Sequence, residues 1–334
     1  MISRRIAFAT VTIALLGALT VMAVQFHRDL RAADIRASSG SHLLPTPCGP
    51  IEYAVSGRGP PVLIVHGAGG GFDQGLQFAE PLVRGGFTVI APSRFGYLRA
   101  PLPRDASPEA QADAHACLLD ALGVQQVTAI GGSAGAPSVM QLCLRHSEKC
   151  SGMILVVPLA FAPREEAAVA LRAASDNPSL NRTILSSDWV LWVATKLARD
   201  ALIETLLATP IADFERASQA EQRRVLAILR NIQPISRRAQ GLLNDAAVAG
   251  ALPRYELERI TTPTLIVTAE DDLYGTYAGS RYTAQHMAQA RLIAYQTGGH
   301  LWVGHQEEVW AAVVEFLSAN KTAQAATMRD TAPK

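Results

Sequence analysis

The chain has 334 residues, enough for one large α/β domain with an insertion or for two ordinary domains. Its formal net charge of +1 comes without a long basic or acidic block, which argues against nucleic acid or a polyanionic partner and leaves small-molecule chemistry. A hydrophobic share of 49% against 18% charged residues is apolar for a soluble protein and points first to a membrane segment.

Residues 6–26 form an uncharged run preceded by Arg4 and Arg5. As a helix the run spans roughly 31 Å, enough for the hydrocarbon core of a bilayer. It exceeds the apolar region of a signal peptide, about 7–15 residues, and shows no small-x-small cleavage site near Met22, Val24 and Gln25. An uncleaved transmembrane anchor is expected, with a cleaved signal peptide and secretion as the alternative, and residues up to 45 read as anchor plus linker. Arg4 and Arg5 favour a cytoplasmic N-terminus, while Arg28, Arg31 and Arg36 on the other flank weaken that signal. The body of the chain is expected outside the cytoplasm, periplasmic in a bacterium. Cys48, Cys117, Cys143 and Cys150 have neither CxxC nor Cys/His spacing, so no metal site is expected. Buried free thiols are the preferred reading, and a Cys143–Cys150 disulfide is conceivable in an exported body.

From about residue 51 short β-branched runs alternate with amphipathic stretches, the pattern of parallel strands joined by helical crossovers. Strands are predicted over 61–66, 87–91, 126–131, 152–158, 263–269 and 291–296, with an antiparallel edge strand over 51–56. Helices are predicted over 73–84, 108–122 and 133–145, the second opened by Ser107 as N-cap and Pro108. Residues 46–158 thus form the first part of an α/β core. The rhythm breaks over 159–258, where helical patterns such as 165–174 and 219–231 imply an inserted helical cap. Residues 259–318 resume the core and end in a helix over 307–317, and the polar residues 319–334 are expected to be disordered.

Ser133 lies in Gly131-Gly132-Ser133-Ala134-Gly135, directly after the apolar run 127–130 and before a helical stretch. This is the strand-turn-helix setting of a nucleophile elbow, where a strained turn lifts a serine oxygen out of the sheet. Upstream, His66-Gly67-Ala68-Gly69-Gly70-Gly71 ends another strand and offers close-approaching backbone. The N–H of Ala134, with that of Ala68 or Gly69, is expected to hold an oxyanion, at about 3 kcal/mol per donor. His66, at a strand end, reads as a hydrogen-bonded structural residue.

On these motifs the chain resembles the α/β-hydrolase family, in which nucleophile, acid and histidine follow in that order. The resemblance implies an α/β fold with a mostly parallel sheet flanked by helices, and it locates the partners. The acid follows the strand 263–269, where Asp272 is preferred and Asp271 and then Glu270 are alternatives. The base follows the last strand, where Gln296-Thr297-Gly298-Gly299-His300 supplies His300, with His305 as competitor. In Pro92-Ser93-Arg94 the aspartate that often precedes the family's arginine is absent, which puts its hydrogen bonds in doubt. Arg94 is read as structural, and Asp73 as a helix N-cap in preference to a substrate ligand.

The implied activity is Ser-His-Asp acyl transfer, a serine hydrolase acting on a small or medium apolar ester and needing no cofactor. Phe161, Trp189, Trp192, Tyr274, Tyr277 and Trp302 are candidates for the substrate lining. Alternatives within the fold are a slow-turnover ligand receptor, a carbon-carbon bond hydrolase and a peptidase. A non-catalytic envelope interaction protein fits the intact triad less well.

Overall fold

The computed structural model describes residues 2–163 and 186–330, with the side chains of residues 2–7, 9, 11 and 321–330 left out of account. The helical pattern expected over 165–174 lies outside the described residues. Eight strands form one sheet in the order β1-β2-β4-β3-β5-β6-β7-β8. They are β1 His42–Thr46, β2 Gly49–Gly57, β3 Pro61–Val65, β4 Thr88–Pro92, β5 Val127–Gly132, β6 Cys150–Val156, β7 Thr264–Ala269 and β8 Ala290–Tyr295. β1 with β2 and β2 with β4 are antiparallel, and the remaining pairs are parallel. β1 falls partly within the stretch read as linker. Its Leu-Leu-Pro-Thr sequence lacks an alternating pattern, and pairing with β2 makes it a strand.

On β3 the side chains alternate between two cores: Leu63 and Val65 join one, Val62 and Ile64 the other. Both faces are therefore covered, as the continuous apolar strands require. Helices α4 (Pro108–Ala121) and α5 (Ala136–Arg145) cover the first face, while α2 (Phe72–Phe78) and α12 (Gln306–Asp330) contribute to the second. Ser107 caps α4, accepting from Ala110 N–H at 3.2 Å. The single helix expected over 73–84 is two, α2 and α3 (Glu80–Arg84), with Pro81 in the first turn of the second. The C-terminal residues expected to be disordered continue α12 to Asp330; their Ala, Gln, Lys and Arg are good helix formers.

Between β6 and β7 the described residues are helical: α6 Asp188–Leu197, α7 Arg199–Thr205, α8 Ile211–Arg216, α9 Gln219–Asn231 and α10 Ala239–Ala251. They carry an apolar cluster of their own, built on residues such as Leu191, Ile203, Phe214 and Ile228, to which Leu301 and Val303 also belong. All four cysteines are in disulfides, Cys48–Cys117 and Cys143–Cys150, which corrects the expectation of free thiols. The first joins the β1–β2 turn to α4 across 69 residues of sequence, a proximity that only the tertiary fold creates.

The N-terminal helix α1 (Ile2–Ser38) is long and apolar enough to cross a membrane over Thr12–Ser38 by length and composition. Its final turns dock on the inserted helices. Phe26 meets Trp189 and Trp192 edge-on at 4.9 and 5.7 Å, and Trp192 Nε1–H donates to Asp29 at 3.1 Å. Arg36 donates to the Gln233 carbonyl at 2.6 Å, and Arg237 pairs with Asp34 at 3.0 Å.

Candidate active site

The turn after β5 places Ser133 in the left-handed region, at φ +48°, a conformation disfavoured for a residue with a Cβ and held here by its surroundings. Gly131 and Gly135 make the bend possible. A Cβ on Gly131 would stand 2.8 Å from Ala136 Cα, and one on Gly135 would stand 2.5 Å from the Val65 carbonyl oxygen. The helical stretch expected from Ser133 starts as a short 3₁₀ turn and becomes α5 at Ala136.

The Ser133 hydroxyl donates to His300 Nε2 at 2.9 Å, and His300 Nδ1–H donates to Asp272 Oδ2 at 2.7 Å. Asp272 and His300 are 5% and 7% exposed, so little water competes with this relay. Asp272 also accepts from the Tyr274 N–H at 2.9 Å and from the Thr276 hydroxyl, which fixes both of its oxygens. Asp271 does not face the imidazole. Its carboxyl receives the N–H groups of Gly298 and Gly299 at 3.2 and 2.8 Å, in the loop that carries His300. His305 stacks on Tyr295 and bonds Glu308 at the start of α12.

The glycine turn after β3 uses most of its own N–H groups. Gly67 donates to Gln74 at 3.1 Å, Gly69 to the Tyr97 hydroxyl at 3.3 Å, and Gly70 to the Gly67 carbonyl. Gly69 is thus already engaged, whereas Ala68 is exposed and its N–H meets no acceptor among the described residues. Of the two candidates in this turn, Ala68 is the one whose N–H stays unengaged among the described residues.

Beneath this turn lies a buried charge network. Arg94 pairs through both terminal nitrogens with Asp245 of α10 at 2.6 and 2.7 Å, and the Tyr97 hydroxyl donates to the same carboxylate at 2.5 Å. Arg94 also donates to the carbonyls of His66 and Gly67, and its own N–H reaches His66 Nε2 at 2.9 Å. His66 is therefore a neutral structural residue, held well below its usual range by burial and then by the Arg94 charge. No aspartate stands just before Arg94 in the sequence, and the polar partners come from elsewhere. Ser93 takes the Phe72 N–H at 3.1 Å, and Asp245 of the insertion supplies the carboxylate. Asp73 is not the N-cap of α2, a position held by Gly71; it pairs with fully buried Arg238 at 2.8 Å.

Ser133 opens into a cavity of about 200 Å³. Of the six residues named for the substrate lining, Tyr274 and Trp302 border this cavity; the Tyr274 ring stands edge-on to His300 at 4.9 Å. Phe161, Trp189, Trp192 and Tyr277 are not among its described lining residues. Phe161 packs on Tyr282, Tyr277 lies under Arg281, and the two tryptophans stack on each other and on α1. The inserted helices supply aliphatic side chains in their place, among them Leu206, Leu207, Ile228, Ile232 and Leu242. The four-residue spacing of Ile228 and Ile232 on an amphipathic stretch was the available signal.

The comparisons with known proteins agree with this architecture. The chain is 24% identical over 282 residues to YcgS of Bacillus subtilis, an uncharacterized hydrolase, covering 81% of this chain and 96% of that protein. Among solved structures, an alpha/beta hydrolase fold protein from Nakamurella multipartita superposes with a TM-score of 0.66 at 26% identity, covering 83% of this chain and 98% of the other. A thermophilic esterase from Thermogutta terrifontis has a TM-score of 0.59 at 22% identity, covering 84% and 98%. The sequence family described as alpha/beta hydrolase fold matches residues 60–303, and the chain belongs to that family.

Proposed function

We propose that this protein is a serine hydrolase that cleaves a small or medium apolar ester through a Ser133 acyl-enzyme. The observation that carries the reading is the unbroken relay from Ser133 through His300 to Asp272, at 2.9 and 2.7 Å, on a strained turn at the floor of an apolar cavity. His300 takes the Ser133 proton as the oxygen attacks the carbonyl carbon, and Asp272 stabilises the imidazolium. The N–H groups of Ala68 and Ala134 hold the oxyanion. His300 then returns the proton to the leaving alcohol, and water frees the acyl group by the same route.

The cavity, about 200 Å³, exceeds the roughly 150 Å³ that admits benzene and falls short of the roughly 300 Å³ where drug-sized sites begin. That range suits a short or singly branched acyl group. We further read α1 as a membrane anchor with the body exported. Its apolar side chains stand in the open, Phe8 at 76% and Ile13 at 70% exposed, and two disulfides suit an oxidising compartment. A fluorophosphonate probe tests the central claim: wild type labels at Ser133, and Ser133→Ala and His300→Ala do not. Labelling that survives Ser133→Ala, or a wild type that never labels, would refute the reading.

A further inference from the structure

The mechanism leaves one pair of carboxyl groups unused. Asp213 of α8 and Asp271, the residue before the proposed acid, both turn an Oδ2 toward the Gly298 N–H, at 3.0 and 3.2 Å. Asp271 Oδ1 takes the Gly299 N–H at 2.8 Å, so the two acids grip both residues that precede His300. Gly298 and Gly299 sit at φ +120° and +61°, and this peptide has few ways to hold one shape without such partners. Two acceptors on one N–H repel each other unless a proton lies between them, and the Asp213 and Asp271 side chains are within hydrogen-bonding reach of one another.

We propose that Asp213 and Asp271 share one proton as a latch between the inserted helix α8 and the His300 loop, making both of them positioning residues for the Ser133–His300 contact. The inference rests on the serine-hydrolase reading for its catalytic consequence, but not for the latch itself. The neighbouring charges are Arg216, 2.5 Å from Asp213 and largely exposed, Glu204 near the start of α8, and Asp272 and His300 on the core side. Burial, followed by the hydrogen bond with Asp213, pushes the Asp271 carboxyl up to about 6. Burial also acts to raise Asp213, but its hydrogen bonds to Asp271, the Gly298 N–H and Arg216 hold it below the usual range. A raised carboxyl stabilises the fold at low pH and loses that contribution as pH climbs through about 6, so the latch is tight in acid and loosens above it.

Amide replacement separates a shared proton from generic packing. Asp213→Ala should slow fluorophosphonate labelling of Ser133 at pH 5.5 at least tenfold, and Asp213→Asn, which both accepts and donates, should recover most of that loss. The wild-type rate divided by the Asp213→Asn rate should fall as pH rises from 5 to 8. Hydrogen exchange of the 298–302 peptide, which needs no catalysis, should quicken in Asp213→Ala and return in Asp213→Asn. Unchanged exchange in Asp213→Ala, an Asn variant as impaired as the Ala variant, or a pH-independent ratio would each overturn the latch. If wild type does not label at all, the hydrolase reading fails alone and the exchange measurement still decides the latch.

Discussion

Replacing Asp245 with Ala tests whether a carboxylate of the inserted helices holds the glycine turn in place. The substitution removes the acceptor of two Arg94 N–H groups, at 2.6 and 2.7 Å, and of the Tyr97 hydroxyl at 2.5 Å. Arg94 is 6% exposed and Tyr97 fully buried, so water cannot readily take the place of the carboxylate. Removing one partner of a buried ion pair costs about 3–5 kcal/mol, mostly for the charge left unpaired. We therefore expect Asp245→Ala to lose about 4 kcal/mol in urea unfolding followed by fluorescence. Arg94→Met combined with Asp245→Ala should recover part of that loss, because an apolar pair no longer strands a charge. Since Arg94 also binds the carbonyls of His66 and Gly67, Asp245→Ala should slow Ser133 labelling as well. A stability loss below about 1 kcal/mol, or a double variant no better than the single, would refute the argument.

Asp272→Asn should lower kcat on an ester substrate by about 10⁴-fold by presenting the wrong tautomer of His300, with the unfolding midpoint nearly unchanged. Steady-state kinetics with a parallel melt checks it. Cys48→Ser with Cys117→Ser opens a loop spanning 69 residues and should cost about 4 kcal/mol on the chain-entropy estimate. Cys143→Ser with Cys150→Ser, separated by 7 residues, should cost about 2–3 kcal/mol, and denaturant titration of the two pairs gives the ordering.

What the sequence revealed followed from strand ends and chain order. Ser133, Asp272 and His300 could be singled out because each follows a parallel strand, and those strands stand out in the sequence as short continuous apolar runs. The choice between Ala68 and Gly69 could not be made locally, since it depends on a hydroxyl 28 residues away at Tyr97. The cavity lining was misjudged for a similar reason. Trp189 and Trp192 have the size expected of ligand contacts, yet the face of α6 that carries them is claimed by Phe26, more than 160 residues upstream. Aliphatic residues of α9, of α10 and of the turn after α7 do that work without any distinctive signature. Asp213 was likewise invisible, because its importance comes from a glycine N–H contributed by another segment.

The docking of α1 on the inserted helices has a mechanical consequence. Phe26 against the tryptophan pair, Asp29 on Trp192 and Arg36 on the Gln233 carbonyl bolt one end of a 37-residue rod to the roof of the cavity. A push or pull on this rod would therefore be felt first at the helices beside the cavity.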